Sequence, residues 1–192
     1  MKSTTPFSVQ SYLRAHAALS ECVDVPAFEA GIEVVRAAFD SPHKVLTCGN
    51  GGSAYTASHY ITDWTKMGNL ATRRRFRGFS LCDNIGLITA FGNDVAYDEV
   101  FVGQLKAHLD PGDLVIAVSG SGNSPNVVKA VEYANSVGAK TLAVVGYDGG
   151  RLREIASHSV WVRSFDMQLC EDVHLMFGHM VMKTLCGTDI VA

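Results

Sequence analysis

Five short apolar runs, spaced along the chain at helix-length intervals, constrain its fold more than any other feature. They are residues 45–48 (VLTC), 78–81 (GFSL), 114–118 (LVIAV), 141–145 (TLAVV) and 159–162 (SVWV). Short runs of this kind read as strands buried on both faces, and strands so buried belong to parallel sheets. Parallel pairing needs crossovers, and the intervening segments are long enough to supply helices on both sides of the sheet. The pattern predicts an α/β fold, a five-stranded parallel sheet in a three-layer αβα sandwich. Ahead of the first run, Phe7, Leu13, Ala17 and Leu19, then Phe28, Ile32, Val35, Ala38 and Phe39 recur every three to four residues, which predicts two N-terminal helices. Residues 169–185 read as a last helix, apolar enough to be buried on more than one side, and a subunit interface would supply that burial.

The chain's 192 residues suit one domain. No run approaches the ~18 to 20 apolar residues of a membrane span. Residues 1–6 (MKSTTP) lead into mixed sequence without an apolar stretch and small-residue cleavage site, so a cytoplasmic protein away from membranes is expected. The five cysteines are odd in number and widely spaced with no CxxC pair, which predicts reduced, buried thiols. A net charge of -3 gives no pull toward nucleic acid. The local exception, Arg73-Arg74-Arg75-Phe76-Arg77, reads as a solvated surface or subunit contact, one that in an oligomer would add charge beside a neighbour's site.

In such a sheet ligands bind beyond the carboxyl ends of the strands. After the first strand comes Gly49-Asn50-Gly51-Gly52-Ser53, and after the third Ser119-Gly120-Ser121-Gly122-Asn123-Ser124. Each loop has glycines that let backbone approach a ligand, hydroxyls that donate to oxyanions, and a helix start just behind it. Neither contains GxxxxGK[ST]; the first fits GxGxxG only with alanine at the sixth position, and the basic stretch separates it from the second strand's end. Singly, either loop reads equally as turn and cap residues, with Ser53 and Ser124 as N-caps. Two such loops at corresponding strand ends fit a small phosphorylated ligand.

His59 and Asp63 stand four apart on the helix after the first loop, about 40° around its axis. The last helix carries Glu171, Asp172, His174 and His179. Glu171 and His179 lie roughly 80° apart over two turns and Asp172 and His179 within about 20°, so angle alone favours Asp172 as the partner of His179. His174 reads equally as a core histidine. Two histidines and two carboxylates suit a divalent metal such as zinc, an acid/base pair without metal, or a buried polar network at an interface.

Taken together, Gly49-Asn50-Gly51-Gly52-Ser53 with His59, then Gly92-Asn93-Asp94, Ser119 to Ser124, and His174-x4-His179 resemble the phosphoheptose isomerases of the sugar isomerase (SIS) domain superfamily. The resemblance runs from about residue 7 to the last helix. It implies a single flavodoxin-like SIS domain over 1–192, with the helices before about residue 42 used in a homotetramer. It also implies interconversion of sedoheptulose 7-phosphate and D-glycero-D-manno-heptose 7-phosphate through an enediol, on the way to activated heptose. By motif position, Ser53, Ser119, Ser121 and Ser124 would hold the phosphate with Asn50 nearby, Asp94 would touch the sugar hydroxyls, and Gly51, Gly52, Gly120 and Glu171 would also contact the substrate. His59, Asp63, Glu171 and His179 would hold a divalent metal, zinc being the expectation, with Asp63 and His179 as the catalytic pair. This chain departs from the family in having Asp63 for glutamate, Glu171 for glutamine and Gly120 for threonine. The alternative is a non-catalytic SIS protein that binds a phosphosugar or a partner such as a replication initiator; the final histidine favours the enzyme.

Overall fold

The computed structural model describes residues 6–191; the leader expectation rests partly on residues 1–5, which lie outside the described residues. Helices α1 (Val9–Glu21) and α2 (Val25–Phe39) precede the sheet. Then follow β1 (Val45–Gly49), α3 (Gly52–Thr72), β2 (Gly78–Ser80), α4 (Ile85–Asp94), the 3-10 turn η1 (Tyr97–Glu99) and α5 (Val102–His108). The second half holds β3 (Leu114–Ser119), α6 (Pro125–Val137), β4 (Lys140–Val145), α7 (Gly150–Ile155), β5 (His158–Trp161) and α8 (Met167–Cys186). The strands pair in parallel in the order β2-β1-β3-β4-β5. Connections therefore leave β1 and β3 in opposite directions, and the crevice between their carboxyl ends is the switch point where ligands of open α/β sheets bind.

Alternation along the strands sorts side chains into two layers. Val45, Leu114, Ile116 and Val118 face α2, α3 and α8, where Phe28, Val35, Tyr60, Trp64 and Phe177 complete one core. Leu46, Cys48, Val115 and Ala117 face the other layer, with Leu105, Val127, Val131 and Leu152. Both faces of β1 and β3 are fully buried, as their unbroken apolar runs require.

Helices α3 and α8 lie side by side in the first layer. Tyr60 stacks on Trp64 with ring centroids 4.9 Å apart, and Trp64 Nε1 donates to the Gly178 carbonyl at 2.9 Å. A Cβ on Gly178 would fall 2.2 Å from Tyr60 Cε1, so only glycine allows this approach. At the outer edge, Tyr12 of α1 donates to Asp172 Oδ2 at 2.7 Å. That bond to a carboxylate, with some burial, pushes the Tyr12 phenol up to about 12. Asp172 therefore fastens α1 to α8, and the angular argument pairing it with His179 is corrected.

His174 is fully buried in this layer and neither ring nitrogen has a partner in good hydrogen-bond geometry. Burial pushes its pKa down to about 4, against a weaker upward pull from the Val145 backbone. An unfolded histidine takes up its proton near pH 6.5, so below that the unfolded chain binds more protons. Stability present above pH 6.5 is then lost as pH falls toward 4. Urea unfolding should show this histidine contributing a loss of about 2 kcal/mol between pH 7 and 5. The loss should be absent from the His174→Leu protein, whatever its stability at pH 7.

Among the described residues no helix is long and apolar enough to cross a membrane. All five cysteines are free, but the expectation of uniform burial is corrected: Cys48 and Cys170 are buried, Cys82 and Cys186 half-buried, and Cys22, capping the end of α1, is exposed. The arginine stretch runs from the end of α3 into β2, at the amino-terminal edge of the sheet and away from the switch point. Arg74 pairs with Asp40 at 2.5 Å and covers the Phe39 ring, and Arg77 donates to the Pro42 carbonyl. It braces the turn after α2.

Candidate functional site

The two serine-glycine loops follow β1 and β3, neighbours at the switch point, and a pair of amides joins them. Asn50 Nδ2 donates to Asn126 Oδ1, and Asn126 Nδ2 returns a bond to Asn50 Oδ1, both at 2.9 Å. Asn126 Oδ1 also accepts from the Val127 amide in the first turn of α6, and Tyr97 donates its hydroxyl to Asn50 Oδ1 at 3.1 Å. Asn126 and Tyr97 were not visible as site residues in sequence. An asparagine after a proline reads as cap chemistry, and the tyrosine lies 47 residues from its partner.

Helix α3 begins at Gly52, one residue before the sequence suggests, with Gly51 as N-cap at φ +54°. Ser53 therefore lies inside the helix, 6% exposed, and does not cap it. Ser124 does occupy the N-cap of α6, but its side chain makes no capping bond. Neither N-cap side chain closes its helix, although in α6 Asn126 Oδ1 takes the Val127 amide, so the start of α3 is the more open to an anion. Within the second loop, Ser119 Oγ accepts from the Gly122 amide at 3.1 Å and Ser121 Oγ from Asn123 at 3.3 Å. Gly122 has φ +66°, and a Cβ there would sit 2.1 Å from the Gly149 carbonyl oxygen. Gly120 is half-buried, with nothing within 4 Å of where its side chain would extend, so the loop has room there.

Farther along α3, His59, Asp63 and His179 converge. His59 Nε2 is 3.1 Å from His179 Nε2 and 3.2 Å from Asp63 Oδ2, and the last pair is 3.9 Å apart. The helical spacing of His59 and Asp63 puts both on the face that meets α8, and the Gly178 contact brings His179 to them. Ligands on a tetrahedral ion with bonds of ~2.0–2.1 Å stand about 3.3 Å apart. The three observed edges bracket that value, and two imidazoles with a carboxylate are a zinc-like donor set.

Two predicted residues stand apart from this group. Glu171 lies against Gly52 instead: its Oε1 is 2.4 Å from where a Gly52 Cβ would be. Eight residues of helix, about 12 Å of rise, separate it from His179, and its carboxylate is not among the ligand atoms gathered within 4.8 Å of one another. Asp94 ends α4, exposed, and accepts from Asn93 Nδ2 at 2.7 Å. From that segment it is Tyr97 that bonds to the first loop. A separate cavity of about 470 Å³, lined by Asp148, Gly150, Arg153, Glu154 and Ser159, contains none of the predicted residues.

A five-stranded parallel sheet with two serine-glycine loops at the switch point and a histidine-carboxylate cluster on the adjoining helices is the arrangement to set beside known proteins. A SIS domain family model matches residues 11–146, which makes the chain a SIS-domain protein. Phosphoheptose isomerase from Geobacter sp. (strain M21) is 34% identical over 176 residues, 90% of this chain and 91% of that one. The phosphoheptose isomerase of Aliarcobacter butzleri (strain RM4018) is 39% identical over 144 residues, 74% of this chain and 75% of its own. The structure of phosphoheptose isomerase GmhA from Neisseria gonorrhoeae matches with a TM-score of 0.81 and 26% identity, covering 94% of this chain and 100% of that one. The chain belongs to the phosphoheptose isomerase family and is a phosphosugar isomerase.

Proposed function

We propose that the protein interconverts a seven-carbon ketose phosphate and its aldose, sedoheptulose 7-phosphate and D-glycero-D-manno-heptose 7-phosphate or a close relative. The observation that carries this reading is a length. From Gly52, at the anion-suited start of α3, to His59 is seven residues of helix, or about 10 Å. An extended chain advances about 1.2 Å per bond, so the eight bonds from C1 of a heptose 7-phosphate to phosphorus span about 10 Å, against about 7 Å for a pentose 5-phosphate. A phosphate held by the two loops thus leaves C1 and C2 of a heptose beside His59, Asp63 and His179.

Ser53, Ser119, Ser121 and Ser124, with backbone amides of the two loops, bind the phosphate, and Asn50 holds the two loops in register. That remote grip fixes the reacting carbons and lowers the entropic part of the barrier. Asp63 and His179 move the proton between C1 and C2: one accepts it from carbon as the enediol forms, and the other carries the hydroxyl proton to or from the oxygens. His59, one oxygen of Asp63 and one ring nitrogen of His179 would hold a zinc ion, which would supply electrostatic stabilisation of developing oxyanion charge. The second Asp63 oxygen and the second His179 nitrogen are left for the proton. Phe7, just before α1, and Val9 and Leu13 on it are exposed apolar side chains, which supports assembly into a homo-oligomer such as a tetramer.

The test is conversion of five-, six- and seven-carbon ketose phosphates by zinc-supplemented protein, followed by NMR in D2O. Interconversion with deuterium entering at carbon, fastest for the heptulose phosphate and lost with chelator, is the expected result. No turnover of any of the three sinks the proposal. Tyr97→Phe tests the loop register: losing one hydrogen bond to Asn50 should raise KM about two- to fivefold with kcat and folding stability little changed.

A further inference from the structure

Helices α3 and α8 run parallel, because their contacts ascend in step: Gly52 with Glu171, Tyr60 with His174 and Gly178, and His59 with His179. Their seam meets the outside at two of these points, Gly52 with Glu171 and His59 with His179. Between them lies Tyr55. It stands three residues past Gly52 and four before His59, about 4.5 Å and 6 Å along the axis. Successive helical residues turn by about 100°, so Tyr55 lies about 40° from His59 and about 60° from Gly52, on the face that carries the cluster. A helical side chain leans toward the amino terminus, so the ring leans from the cluster toward the loops. It is 82% exposed, whereas Tyr60 on the opposite face of the same helix is fully buried. No packing among the described residues explains an aromatic here.

We propose that Tyr55 is a specificity-determining residue that gauges the length of the substrate, its ring lying along the middle carbons of a sugar phosphate that reaches from the two loops to His59, Asp63 and His179. This rests on the function proposed above. A phenol ring offers an apolar face to the C–H side of a polyol and a hydroxyl to its oxygens. A seven-carbon chain in that span passes the ring. A five-carbon chain anchored at the loops ends near it, short of the cluster, and gains less from it.

The experiment compares wild type, Tyr55→Ala and Tyr55→Phe on five- and seven-carbon ketose 2-uloses phosphorylated at the far end. Calorimetry of a seven-carbon alditol phosphate, which cannot isomerise, gives binding alone. Tyr55→Ala should raise KM for the heptulose phosphate about tenfold with kcat within about twofold, weaken alditol phosphate binding in parallel, and leave KM for the pentulose phosphate within about twofold. Tyr55→Phe, which keeps the ring, should restore most of the heptulose KM. Equal changes for both lengths, no change for either, or a shift in oligomer mass on Tyr55→Ala each overturn the assignment while leaving the isomerase reading standing. A wild type inactive on every ketose phosphate overturns both.

Discussion

Asp63→Asn and His179→Gln are each expected to lower isomerisation by about 10²- to 10⁴-fold, the range that general acid-base groups contribute. Asp63→Asn keeps the side-chain shape and His179→Gln keeps a polar group of similar length, while removing the charge or ring nitrogen proposed to handle the proton. Asp63 and His179 are 26% and 48% exposed, so neither anchors the core and the variants should unfold at denaturant concentrations close to wild type. Deuterium incorporation at C2 in D2O isolates proton transfer from binding. Loss of exchange with alditol phosphate binding retained is the expected signature. Two variants that both exchange at wild-type rate would remove Asp63 and His179 from the chemistry.

Phe177→Ala should cost about 3–5 kcal/mol, the range for deleting a large buried aromatic. Phe177 is fully buried and meets Phe28 edge-on at 5.8 Å and Tyr60 at 6.3 Å. It therefore links α2, α3 and α8, and Gly31 on α2 sits directly against its ring. The resulting cavity has little to collapse into it, because the sheet lies on one side and three helices hold the others. Equilibrium urea unfolding measures the loss, and a change below about 1 kcal/mol would mean that the α3–α8 seam is not held by this cluster.

Those two effects correspond to the two levels at which the chain is legible. Strands were readable because a sheet covered on both sides writes continuous apolar runs, and all five agree with the structure within a residue at either end. Leu81, read as the end of β2, is buried and donates its amide to the Thr47 carbonyl, yet lies just past the strand. The start of α3 was misplaced because serine is a strong cap signal, whereas the turn is made by Gly51 in a left-handed conformation, which leaves no side-chain mark. His59 with Asp63 was visible as a spacing. The position of Glu171 needed the helical rise as well as the angle, and Asn126 and Tyr97 needed the folded neighbourhood of two strands.

The link between Asn50 and Asn126 is made of neutral groups on both sides. Uncharged amides do not titrate in the physiological range, and their attraction is scarcely weakened by dissolved ions, unlike that of an exposed ion pair. The spacing of the anion cradle is therefore indifferent to acidity and ionic strength. Whatever dependence on pH or salt the enzyme displays does not arise in this amide link.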